Sequence, residues 1–411
     1  MELTLNKRSA LAIMRALRSG KDRAQLRALT RCSEMFAPDP FPKKRWTKKL
    51  LNSVIADLPS GLDSSGLEIA VPDRGSRIQT QGVSCSVYNG SIPDGAFRRL
   101  DVASGHLDVA SGHLACEIAI SGPELLFAEL AESMLPLEHL MLGHELCGTF
   151  SRDADDPYNG PVTYHVQPVT SVERIARFLD GTKHIRGAEA ARASLARLND
   201  NAWSSTESLV TALLRLPIDS LGFDIGQLTL NPRVELERRL PGAKDSRVPD
   251  IVIDGTLVGL NYDGMAHLDL GSIVKAAIDV GADPGSAQME AILNKAVRDV
   301  REKAVDDIRR NRELAVGGFS VFPIVKEDLY VPGGIEQVVG QLVDMIEREC
   351  GRDMSWQRRI LASKVLARAR HRMMLSLLPG KRERNVQVER FIQGHPLYSG
   401  PSLMKEVWIE L

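Results

Sequence analysis

Asp250, Asn261 and Asp263 are spaced so that one β-hairpin would bring their side-chain oxygens to a single side. The runs Val248–Ile253 and Leu257–Tyr262 are rich in β-branched and apolar residues, and Asp254-Gly255 between them is a favoured two-residue turn. With that dipeptide as the whole loop, Val252 faces Leu257 and Asp250 faces Gly259. Strict alternation then puts Asp250, Gly259, Asn261 and Asp263 on one face. Asp250 and Asn261 become diagonal neighbours, about 7–8 Å apart at the backbone. Oxygens at that separation can converge on one divalent ion, and magnesium takes six of them at about 2.0–2.1 Å. The chemistry on offer is that of a bound metal. A three-residue loop would slide the register by one and turn Asn261 away.

Elements on either side must hold such a hairpin. WSSTESLVTALLRLP reads as a helix opened by Ser204 and closed at Pro217. Glu207, three residues after Ser204, occupies the capping-box position, which is reason enough for a glutamate there. Downstream, AILNKAVRDVREKAVDDIRRNRELAVGG reads as a long amphipathic helix, with Leu293, Val297, Val300, Ala304 and Ile308 as one buried stripe. Gly317-Gly318 ends it, and FSVFPIVKEDL follows as a last strand whose Pro323 suits an edge.

The remaining chain is organised differently. Residues 8–31 read as two short basic helices broken at Ser19-Gly20, and 38–122 as small strands and turns, among them Leu67–Val71 and Val83–Tyr88. From Ser121 the pattern turns helical: SGPELLFAELAE, VTSVERIARFLDG and GAEAARASLARL. The heptapeptide DVASGHL occurs twice in succession from Asp101, a tandem duplication absorbed in a loop, which argues against His106 and His113 as ligands. His144-Glu145 opens like a zinc-protease motif but lacks the second histidine. Neither GxxxxGK[ST], nor GxGxxG, nor GxSxG is present, so nucleotide-hydrolase, dinucleotide-binding and hydrolase-elbow readings have no basis.

The bulk properties bound the answer. The 411 residues suit two or three domains, and 43% hydrophobic with 26% charged residues is a globular balance. No apolar run approaches the ~18–20 residues of a bilayer span, and the first twenty residues lack a signal-peptide core. Five scattered cysteines with no CxxC pair read as reduced thiols of a cytoplasmic protein. The net charge of −1 hides an asymmetry. Residues 1–50 hold thirteen Lys/Arg against four Asp/Glu, and 352–384 hold ten against two. Basic ends can meet phosphate, although solvated helix faces account for the same charges.

The ordered series of a helix with Glu207, Pro249-Asp250, a hairpin ending in Tyr262-Asp263-Gly264, His267, and a D-x-x-R helix at Asp307 and Arg310 before a last strand resembles the very-short-patch-repair endonucleases. It also resembles related endonuclease-like domains of the PD-(D/E)xK, restriction-endonuclease-like superfamily. The likeness spans about residues 203–330. Upstream, VTSVERIARFL is similar to bacterial proteins that join an abortive-infection antitoxin-like region to such a domain. The resemblance implies Asp250 as metal ligand, Glu207 at the site edge, His267 positioning water, and Arg310 near phosphate, with magnesium supporting phosphodiester hydrolysis. This chain departs at residue 261, where related domains carry glutamate. Asparagine offers a neutral oxygen and no charge for a hard cation. Asp263, on the same expected face, would be the second acidic ligand.

The expected architecture is therefore α/β: a basic helical segment over 1–50, a mixed α/β antitoxin-like module over 51–202, a PD-(D/E)xK nuclease-like mixed sheet flanked by helices over 203–330, and a basic helical tail over 331–411. The expected function is DNA binding by a nuclease fold whose magnesium-dependent cleavage is weak or lost. Arg310, Arg368, Arg370 and Arg372 are the candidate DNA contacts. The alternative is a non-catalytic DNA-binding regulator or antitoxin-like component of phage defence, with a protein partner in that system and none in a membrane.

Overall fold

The computed structural model describes residues 2–20, 26–32, 46–55, 58, 62, 66–88, 92–102, 117–235, 246–262, 277–280 and 286–379. They form α/β structure in two compact units, the first running to Ala212 and including the segment from Leu378, the second running from Leu213 to Leu377.

In the first unit, β1 (Glu2–Leu5), β2 (Leu26–Cys32), β3 (Leu67–Val71), β4 (Val83–Val87), β5 (Phe97–Val102) and β6 (Glu117–Ser121) make one mixed sheet, ordered β2-β5-β6-β1-β3-β4. Leu3, Thr4 and Leu5 are all fully buried, as a strand covered on both faces requires. Around the sheet the chain forms α1 (Lys7–Ser19), α2 (Lys48–Ile55), α3 (Pro123–Leu130), α4 (Pro136–Cys147), α5 (Val172–Gly181) and α6 (Ala188–Leu195), with a small ribbon of β7 (Phe150–Ser151) and β8 (Thr163–Tyr164). Two helices are not what 8–31 becomes. Among the described residues α1 is the one helix there, ended by Gly20 at φ +69°, and Leu26–Cys32 pairs antiparallel with β5. Cross-strand hydrogen bonding overrides the weak local preference of LRALTRC.

Charge on α1 turns inward. Arg15 grips Glu145 of α4 through Nε and Nη2 at 2.9 and 2.7 Å, and Arg18 donates to the carbonyls of Glu145 and Gly148, where α4 ends. The Arg152 backbone N–H adds a bond to Glu145 at 3.0 Å. Burial by itself would raise the Glu145 pKa, but Arg15, Arg152 and Arg18 hold it below its ordinary value. His144, the start of the truncated zinc motif, is buried with Nδ1 3.1 Å from the Ser208 hydroxyl.

His139 of α4 is buried under the Phe127 ring, centroids 4.2 Å apart. A carbonyl can only accept, so Nε2 donates to Phe127 O at 2.8 Å, and Nδ1 accepts from the Ser194 hydroxyl at 2.8 Å. Burial lowers its pKa from 6.5 to about 4. The unfolded chain then binds the extra proton between those values, so stability is full above 6.5 and falls as pH drops toward 4. A loss of about 3 kcal/mol is expected over that window. Urea titrations of the first unit's melting at neutral and mildly acidic pH should show it, and His139→Leu should remove the pH dependence while lowering stability throughout.

In the second unit the end of α7 (Ser205–Arg215) leads to β9 (Leu228–Leu230), a short ribbon of β10 (Val234–Glu235) with β11 (Ser246–Arg247), then β12 (Ile251–Ile253), β13 (Val258–Tyr262), α8 (Ala287–Val316) and β14 (Ser320–Ile324). The sheet order is β14-β13-β12-β9, antiparallel except for the β13–β14 pair, which α8 connects. Pro323 lies on edge strand β14 as its missing N–H demands. Helices α9 (Lys326–Tyr330), α10 (Gly334–Cys350), α11 (Ser355–Ala362) and α12 (Lys364–Leu377) follow. α10 buries Val339, Leu342, Val343 and Ile346 along one stripe, the helical period at work.

The stripe on α8 departs from expectation. Val297 and Ile308 are 46% and 60% exposed, and Leu293 and Val300 are half-buried. The helix has 30 residues, about 45 Å, whereas the five residues of β13 span only about 17 Å. Its C-terminal turns meet the sheet, with Leu314 fully buried. Ala304's side chain lies outside the described set.

Candidate functional site

The hairpin turns at Asp254-Gly255, with Gly255 at φ +74° and the Thr256 N–H donating to Ile253 O at 3.2 Å. The observed register pairs Val252 with Gly259 and Ile251 with Leu260, two residues from the tight-loop register. A slide of two preserves the face of every side chain. Continuing it sets Asp250 directly opposite Asn261, closer than the diagonal arrangement. Gly259 has to be glycine, because a Cβ there would sit 2.5 Å from Ile251 O.

Both facing side chains are spent on local hydrogen bonds. Asn261 is fully buried; its Oδ1 accepts the Asp250 N–H at 3.0 Å, and its Nδ2 donates to Asn311 Oδ1 of α8 at 3.0 Å. The half-buried Asp250 accepts the Tyr262 N–H at Oδ2, 2.6 Å away. The result is a polar staple from β12 through β13 to α8. Sequence reasoning missed Asn311, although it lies four residues after Asp307 and so on the same helix face. It also missed Arg247, which is 5% exposed and bound to Asp306, at 3.0 Å, and to Glu313. Arg310 pairs with Asp307 at 3.4 Å.

Glu207 belongs to the first unit and is 3% exposed. Its N–H donates to Ser204 Oγ at 3.1 Å, and its carboxylate accepts the Trp203 N–H at 3.3 Å, close to the capping-box arrangement. Asp263 and His267 lie outside the described residues. Among the described residues no three His, Cys, Asp or Glu side chains gather as a metal requires. The described donors of the hairpin, one carboxylate and one committed amide, do not fit a hard divalent cation.

The arginines of α12 separate into two groups. Arg368 and Arg372 are exposed and, with Lys364, recur every four residues on one face. Arg370 is turned inward and is fully buried, which removes it from any phosphate-facing surface. Its Nε donates to Leu221 O at 2.7 Å, Nη1 to Glu336 Oε1 at 2.6 Å and Nη2 to Gly222 O at 3.3 Å, while its guanidinium lies 3.8 Å from the centre of the Phe223 ring.

Comparison of the chain with family models, curated proteins and solved structures returned no match. No helix among the described residues is long and apolar enough to cross a membrane. Cys85, Cys147 and Cys350 are free thiols.

Proposed function

We propose that the second unit is a DNA-binding module on a nuclease-type core, in which metal-dependent cleavage is weak or lost. The succession of helix, three antiparallel strands, helix and parallel last strand supports the PD-(D/E)xK reading. The observation that carries the loss of cleavage is Asn261. It stands opposite Asp250, where the related domains place an acid, and both ends of its amide are bonded inside the protein. That commitment favours a non-catalytic DNA-binding regulator, of the kind a defence system uses, over a working nuclease. Fold alone decides neither, since activity resides in the site.

Asn261→Glu tests this reading. The substitution sets a second carboxylate beside Asp250 and breaks both amide bonds, at a cost of about 1–3 kcal/mol without metal. Mn²⁺ or Mg²⁺ should then raise the melting temperature of the variant by several degrees while leaving the unmodified protein unmoved. Plasmid nicking should appear, if at all, only in the variant and vanish when Asp250→Ala is added. Metal-dependent nicking by the unmodified chain, lost in Asp250→Ala, would show a working nuclease. A variant indifferent to both metals would mean that no metal site underlies residue 261.

A further inference from the structure

We propose that the outward face of α8 is a phosphate-tracking surface for duplex nucleic acid, carried by Arg298, Arg301, Arg309 and Arg312. The proposal rests on the DNA-binding reading and adds where the backbone lies. All four arginines are exposed. At about 100° per residue they fall within an arc of about 80°, and they span about 21 Å along the helix. That length matches about six base pairs at 3.4 Å each.

The opposite side of the same helix is the one that meets the sheet: Leu314 is buried there and Asn311 holds Asn261. The four side chains therefore point away from the core. The acids of the last turns are drawn elsewhere. Asp306 and Glu313 are bound to Arg247, and Asp307 to Arg310. The exposed acids Glu290, Asp299 and Glu302 fall beside the arc, about 60–120° round from its centre. None of the four arginines has an acidic partner among the described residues. With Asp306, Asp307 and Glu313 engaged by Arg247 and Arg310, the helix leaves four guanidiniums on one outward arc that carries no acid. Every cation on that arc is arginine, the side chain whose planar fork fits phosphate oxygens in pairs.

An anionic membrane surface would ask for a different helix. Lying in a bilayer interface needs a continuous apolar face with cations beside it. Here Val305, Ile308 and Val316 are the exposed large apolar residues on or beside the arc, 38%, 60% and 79% exposed, and the arginines are interleaved with them.

The test uses the full chain and a fluorescent duplex of random sequence, with anisotropy measured from about 50 to about 200 mM salt. Each phosphate contact contributes about 0.9 to the slope of log affinity against log salt. The variant Arg298→Gln/Arg301→Gln/Arg309→Gln/Arg312→Gln should therefore lose about 3–4 from that slope and bind roughly 100-fold more weakly at low salt. The matching fourfold Arg→Lys variant should keep most of the slope, which separates lost charge from lost folding. An unmodified chain that binds steeply with a glutamine variant that binds as steeply would overturn the surface and leave the DNA reading standing. An unmodified chain that ignores duplex at all salt concentrations would sink both. Binding to phosphatidylserine vesicles in place of duplex would overturn the choice of partner.

Discussion

Arg370→Met should cost the second unit about 3–5 kcal/mol, one of the two largest effects expected of any single change in this protein. Methionine fills the space of the arginine stem but supplies no donor. The Glu336 carboxylate, only 9% exposed, would be left charged beside an apolar neighbour, and the Leu221 and Gly222 carbonyls would lose their N–H partners. Those carbonyls belong to a loop with little room to adapt. Leu221 and Asp224 hold positive φ angles of 63° and 51°, and a Cβ on Gly222 would lie 1.8 Å from Leu216 O. Amide hydrogen exchange across 213–226 and α12 should accelerate together in the variant. Arg370→Met/Glu336→Leu should recover about 2 kcal/mol or more, because a buried pair replaced by apolar side chains costs far less than half a pair. A single variant within 1 kcal/mol of the unmodified protein would mean that α12 is held by its apolar contacts alone.

Glu145→Gln should be comparably severe in the first unit. The exchange keeps the shape and removes the one negative charge that Arg15 grips, leaving Arg15 and Arg152 buried beside a half-buried Arg18. A loss of about 3–5 kcal/mol is expected at neutral pH. The pH dependence carries its own sign. Because the folded pKa of Glu145 is held below 4.5, the stability it confers is present above 4.5 and disappears as pH falls through the lower folded value. Acid unfolding below 4.5 should accordingly be shallower in the variant, whereas the His139 window between 6.5 and 4 should remain. An unchanged acid limb would place the acid sensitivity of this unit elsewhere.

Much of the hairpin was legible because its determinants are local. Asp254-Gly255 does mark the turn, and alternation puts Asp250 and Asn261 on one face whether the loop has two residues or four. Glu207 likewise reports its own capping geometry. What eluded the sequence depends on partners distant along the chain. Leu26–Cys32 becomes a strand because β5 supplies hydrogen bonds from 65–76 residues later. Arg15, Arg18 and Arg370 look like surface charge until Glu145 and Glu336 reach them from 130 and 34 residues away. On α8 the periodicity was real, but a helical pattern does not say how much of the helix has a sheet beneath it. Asn261 could be read as a lost acid and not as a staple, since its partner Asn311 lies 50 residues downstream.

The place of β1 inside its sheet sets a clock on synthesis. Its neighbours are β3 and β6, and the pairing of Leu5 with Ile120 joins positions 115 residues apart. A ribosome adds about 5–20 residues per second, so one edge of β1 waits on the order of ten seconds for its partner to be made. Throughout that interval a short strand, whose Leu3, Thr4 and Leu5 end up fully buried, has open hydrogen-bonding groups on the side meant for β6. Nascent chains stalled between Val102 and Glu117 should therefore be the ones that chaperones hold longest, and the same open edge is where copies of an unfinished chain would find one another.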